Sequence, residues 1–172
     1  MKEMRKLLGK ESGFTLVELA IGLVIIGLLI GAILGGAQMI NNAKIRRQVK
    51  DLQGLYAGAY TYFDKFEQLP GDRDGNGQFD GNDTVWTDME AENLAHETRR
   101  SPFGGTYAWG WSDTAMVGTT HRQGNYVTIS LPPEVAGNVD RQLDDGVDTS
   151  GVITASDIYS GSGRIDLYYF ID

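Results

Sequence analysis

Cysteine is absent from the 172 residues, which removes disulfide staples, thiolate metal sites and thiol nucleophiles together. Histidine is nearly absent: His96 and His121 are the only two, neither has a neighbouring ligand pair, and no zinc-protease pattern occurs. None of the four prolines precedes Pro70, so no proline interrupts a helix in the first 69 residues. Positive charge is also short. Fifteen Lys and Arg face 23 Asp and Glu, for a formal charge of -8, which argues against a general binder of phosphate backbones, and no nucleic-acid partner is inferred. Gly75-x-Gly77 follows a helical stretch rather than a strand and lacks a third glycine, so it is not a dinucleotide fingerprint. Nothing in the chain points to an enzyme.

A chain of this length suits one modest domain with an extension. The first thirteen residues carry Lys2, Arg5, Lys6 and Lys10 against Glu3 and Glu11. Leu19 to Ala37 then has no charge at all, and a run of about 19 residues at about 1.5 Å each reaches about 28 Å, enough to cross a bilayer core of about 30 Å. The run continues without a cleavage-type break into an amphipathic stretch, unlike a secretory signal. Ile45, Val49, Leu52, Leu55 or Tyr56, Ala59, Phe63 and Phe66 recur at three- and four-residue steps, the mark of one helical face. One helix over 14–66 is predicted, membrane-spanning over 16–39 and stopped by Pro70-Gly71. Its second half requires something soluble to pack against, and residues 67–172 supply it.

That head reads as α+β with a small, mostly antiparallel sheet. A short helix is expected over about Val85 to His96, capped by Thr84 or Asp83. Strands are expected at 106–111 and 125–131. A helix opening at Pro132-Pro133 carries Val135, Ala136, Val139 and Leu143 on one side, and a loop follows over 143–151. The strand at 164–171 turns Ile165, Leu167, Tyr169 and Ile171 to one face. Trp86, Trp109, Trp111 and Tyr107 suit the core of a small head better than a ligand surface.

Gly13-Phe14-Thr15-Leu16-Val17-Glu18 is the most specific stretch. A basic leader ending in Gly, then Phe, a Glu five positions after the Gly, and about twenty apolar residues resembles the class III signal of type IV pilins and the related pseudopilins. The resemblance runs from Lys2 to about Met39. It implies cleavage after Gly13 by prepilin peptidase, which leaves 1–13 as the leader, and methylation of the new amine on Phe14. It further implies an inner-membrane assembly platform and a filament of homologous subunits joined through the N-terminal helix. Glu18 would pair there with the terminal ammonium of a neighbour, which offsets the cost of an acid at the edge of an apolar run. Before assembly the helix would sit in lipid. Lys44, Arg46, Arg47 and Lys50 beyond the span balance the leader's cations, so charge alone leaves the orientation tied; the resemblance places the leader in the cytoplasm and the head in the periplasm. Gly27, Gly31 and Gly35 form two overlapping small-xxx-small pairs suited to close helix contacts. Many type IV pilins have a proline in this segment, and this chain does not.

Residues 72–83 match a calcium loop of EF-hand type: Asp72, Asp74 and Asn76 at positions 1, 3 and 5, Gly77 at the turn, the Gln78 carbonyl, Asp80 at position 9 and Asp83 at position 12. Calcium takes six to eight hard oxygens, and alternate side chains on a tight turn converge to provide them. Position 12 is Asp where Glu is usual, and Pro70-Gly71 leaves no entering helix. Pilin heads commonly pin the C-terminal region with a disulfide, a job an ion would take over here. Asp140, Asp144, Asp145 and Asp148 around Gly146 form a weaker acidic cluster that could make a second ion site, and it is read first as a helix end followed by an Asx turn. The expectation is a calcium-braced structural subunit of a pilus or a type II secretion pseudopilus. The alternative is a membrane-tethered, calcium-dependent binding module, which would need hydrophobicity but not Gly13 and Glu18.

Overall fold

Helix α1 runs without interruption from Leu16 to Phe66. In the computed structural model residues 13–95, 99–117 and 120–171 are described, with the backbone alone at 114–117, 120 and 121. The leader before Gly13, His96 and the His121 side chain lie outside the described residues. The chain divides after Asn41 into two compact units.

In the first unit every residue of α1 from Leu16 is exposed except the half-buried Gly22 and Gly36. Leu16, Leu23, Leu28 and Ile33 each leave more than two thirds of their surface uncovered. An apolar surface that large belongs in lipid or against other helices. Gly27, Gly31 and Gly35 do not break the helix, and a methyl group added at any of them would meet nothing within 4 Å.

In the second unit the same helix becomes amphipathic, burying Ile45, Gln48, Leu52, Leu55, Gly58 and Ala59. Gly58 lets the next element come close: a Cβ there would lie 2.6 Å from the Leu94 carbonyl oxygen. The expected face was misplaced at its end, since Phe63 and Phe66 remain 44% and 43% exposed. Both rings line an open groove in which Leu69 is the one other apolar residue among the described lining, beside Glu67, Gln68 and Asp72.

Helix α2 (Asn82–Ala91) starts three residues before the expected Val85 and ends before Asn93, whose φ of 56° is left-handed. Neither expected cap acts as one: Thr84 Oγ1 instead donates to the Gly81 carbonyl, and Asp83 sits in the first turn, where the helix dipole favours a carboxylate. Asn82 sets the start. Its Oδ1 accepts from Trp86 Nε1 at 3.1 Å and from the Trp109 backbone N–H at 3.0 Å, tying the first turn to the sheet.

The sheet comprises β1 (Ala108–Val117), β2 (Thr120–Leu131), β3 (Ile153–Ala155) and β4 (Ile165–Ile171), ordered β1-β2-β4-β3 with every pairing antiparallel. Strands β1 and β2 extend well past the expected runs. Between β2 and β3, helix α3 (Pro133–Leu143) opens with Pro133 in its first turn, where its missing N–H costs nothing. Val127, Ile129, Leu131, Ile165 and Leu167 share one core with Leu52, Leu55, Trp86, Met89, Tyr107, Trp109 and Val139. Trp86, Tyr107 and Trp109 are therefore packing residues, whereas Trp111 is half-buried and outside that core; Trp86 and Trp109 meet edge to face at 5.8 Å, and Tyr169 stacks on Tyr56 at 5.1 Å. Phe170 is the exception to the alternation. It is fully buried with Tyr126 and Tyr168 in a separate cluster, and the Arg122 guanidinium lies 4.8 Å from its ring centre.

Candidate functional site

Two places on the molecule bring functional side chains together. The first is the start of α1. Thr15 Oγ1 accepts from the Glu18 backbone N–H at 3.3 Å, and Glu18 Oε2 accepts from the Thr15 backbone N–H at 2.9 Å and its hydroxyl at 2.8 Å. This is a capping box, satisfying two orphan amides of the first turn reciprocally. Glu18 was singled out in the sequence as an intermolecular partner. The signal for its local role was Thr-x-x-Glu directly before an apolar run. Gly13 and Phe14 precede the helix, and Phe14 is 82% exposed.

The second place is the loop after α1. Asp72 is buried, and three backbone amides converge on it: Gly75 and Asn76 donate to Oδ1 at 2.8 and 3.2 Å, and Gly77 donates to Oδ2 at 2.8 Å. That turn requires Gly77 at φ 78°, a conformation costly for residues with a Cβ. Asp74 accepts from the Asn76 backbone and side-chain amides, and Asn76 Oδ1 accepts from the Gln78 N–H. Asp80 Oδ2 accepts from the Arg73 N–H at 2.6 Å. One carboxylate oxygen from each of Asp72, Asp74 and Asp80 lies within 4.8 Å of the others. Asp83 is not in that set; it begins the helix that leaves the loop. Three hard carboxylate oxygens brought this close could hold a metal ion of the oxygen-preferring class.

Two anchors of this loop were not foreseen. Asn125 on β2 accepts from the Phe79 N–H at 2.8 Å and donates to the Gly77 carbonyl at 2.9 Å. Asp88 on α2 accepts from the Gly71 N–H and from the Arg73 guanidinium, both at 2.7 Å. Asn125 lies far along the chain from the loop and Asp88 sits on the following helix, and no local pattern marks either.

The other acidic group, Asp140, Asp144 and Asp145, also brings one oxygen of each within 4.8 Å of the others. Burial pushes the Asp140 carboxyl up to about 6, opposed by the hydrogen bond from Tyr159, and burial pushes the Tyr159 hydroxyl well above the ordinary tyrosine range.

Comparison with curated proteins gives no sequence match. Among solved structures the chain is similar to the major type IV pilin PilA1 from Clostridium difficile, at 17% identity over 77% of this chain and 98% of that one, with a TM-score of 0.45. Residues 8–34 match the family described as the prokaryotic N-terminal methylation motif. That match spans Gly13, Phe14 and Glu18 and runs on into the exposed apolar half of α1, so the N-terminal segment of this chain carries a prokaryotic N-terminal methylation motif.

Proposed function

We propose that the protein is a structural subunit of a type IV pilus or a type II secretion pseudopilus. Prepilin peptidase cleaves after Gly13, the Phe14 amine is methylated, and the subunit leaves the inner membrane for a filament built on α1, its head having faced the periplasm. The observation that carries this reading is the methylation motif leading directly into a helix whose apolar side chains are uncovered on every side. A lone membrane anchor needs the apolar helix but not the motif. Neighbouring subunits would cover Leu16 to Ile40, and Gly27, Gly31 and Gly35 would admit close helix approach. Glu18 would exchange its hydrogen bonds with Thr15 for the ammonium of a neighbour's Phe14. In the head, calcium is the ion proposed for the 72–80 loop, where it would offset the repulsion among Asp72, Asp74 and Asp80.

Mass spectrometry of assembled material should find an N-methylated Phe14 at the start of the chain, and Gly13→Leu should leave an uncleaved membrane precursor. Glu18→Ala should insert normally, since losing a charge eases insertion, yet enter filaments poorly. An intact Met1 in filaments, or a normal filament yield from Glu18→Ala, would overturn the reading.

A further inference from the structure

Between Glu18 and Asp64 the charged residues of α1 are Lys44, Arg46, Arg47, Lys50 and Asp51. The cations are all exposed, on the arc of the helix left over by the buried Ile45, Gln48 and Leu52. Little within the chain answers their charge. Asp51 lies 3.9 Å from Arg47 and also accepts the Tyr107 hydroxyl at 3.3 Å. Among the described residues Lys44, Arg46 and Lys50 make no hydrogen bond or ion pair. Arg46 opens instead onto a pocket of about 330 Å³ whose other polar walls are Asn42 and, on α3, Asn138 and Gln142.

The place of these cations on the helix says what would answer them. Ile40 is the last large exposed apolar side chain of the N-terminal stretch. At about 1.5 Å per residue, Lys44 follows it along the helix by about 6 Å and Lys50 by about 15 Å. A headgroup layer extends about 5–7 Å beyond each face of the hydrocarbon core, and at physiological salt charge acts over about 8 Å more. Helical side chains lean toward the N-terminus, so these long stems reach back toward the apolar stretch.

We infer that Lys44, Arg46, Arg47 and Lys50 bind the phosphate groups of anionic phospholipids in the leaflet on the head side, holding α1 at a set depth before assembly. Each cation close to an anionic membrane surface strengthens binding by up to about fivefold. The pocket beside Arg46 gives one phosphate a place against the Asn42 and Gln142 side-chain amides as well as the guanidinium. The inference rests on the membrane reading of α1 and not on filament assembly.

The test reconstitutes the full-length chain in phosphatidylcholine vesicles carrying spin-labelled phosphatidylglycerol or spin-labelled phosphatidylcholine. Electron paramagnetic resonance then reads the fraction of each label slowed by the protein. The parent should prefer phosphatidylglycerol at low salt. Changing Lys44→Gln, Arg46→Gln, Arg47→Gln and Lys50→Gln together should lower that relative affinity at least about threefold, with the leader cations the same in both chains. All four side chains are exposed, so this variant should retain the near-ultraviolet circular dichroism of the head. Arg46→Lys with Arg47→Lys, which keeps the charge, should keep the preference. A smaller drop in the Gln variant, the result expected if the cluster meets the acidic head of a second copy, would overturn the inference. Failure of the parent to enter phosphatidylcholine vesicles would overturn the membrane reading and the inference with it.

Discussion

The two halves of α1 are one helix with two different requirements. From Leu19 to Ala37 the side chains are apolar around the whole circumference and all but two residues are exposed; from Asn42 to Phe66 one face is buried and the other carries Lys44, Arg46, Arg47 and Lys50. Backbone hydrogen bonding is the same in both, so propensity does not distinguish them. What differs is the source of burial: the second half finds its apolar partners within the same chain, and the first must find them in lipid or in other copies. Glycines show the contrast most sharply. At Gly58 a methyl group would collide with the Leu94 carbonyl, whereas at Gly31 it would touch nothing.

Paired substitutions sharpen this contrast, read as thermal melting of the full-length chain in detergent through the near-ultraviolet signal of the buried Trp86 and Trp109. Leu52→Ala should destabilise the head by about 2–5 kcal/mol, while Leu29→Ala should leave head melting unchanged within about 0.5 kcal/mol. Gly58→Ala should cost about 1–3 kcal/mol through overpacking, despite the better helix propensity of alanine. Calcium at ten times the dissociation constant of the 72–80 loop should add about 1.4 kcal/mol, or about 3–6 °C, relative to chelator. Asp74→Ala should remove the 72–80 loop's share, and calcium-independent melting of the parent would remove the ion from the account of the head. Gly31→Ala should have the smallest effect on the isolated subunit, raising helicity by up to about 1 kcal/mol without altering head melting. A destabilised head in Gly31→Ala would break the division between the halves.

The long helix, its stop near Pro70, α3 and the apolar face of β4 were legible in the sequence because each rests on a periodic pattern or a proline. The end of the buried face on α1 was not legible. Phe63 and Phe66 continue the period of Leu52 and Leu55, yet they face an open, mostly polar groove and stay part-exposed. Strand β3 escaped notice for lack of length, since three residues show no alternation. In the acidic loop, the spacing of Asp72, Asp74 and Asp80 was visible, but Asn125 and Asp88 become neighbours only through the sheet and α2. Asp140 hid in a different way: four aspartates near a helix end read as solvated, and its burial depends on Tyr159 and the returning chain.

The hydrogen bonds of the 72–80 loop also govern how the loop ages. Asn76-Gly77 is a pair prone to spontaneous deamidation, in which the Gly77 backbone nitrogen attacks the Asn76 side-chain carbonyl, the side-chain amide nitrogen leaves as ammonia and a succinimide ring closes. Here the Gly77 N–H is held by Asp72 Oδ2, and the Asn76 side chain is tied at both ends, to the Gln78 N–H and to Asp74 Oδ2, which restrains the rotation that ring closure needs. The folded loop therefore slows its own chemical decay, and whatever loosens it shortens the lifetime of Asn76. In the filament proposed above, a subunit that cannot be replaced in place would depend on that protection.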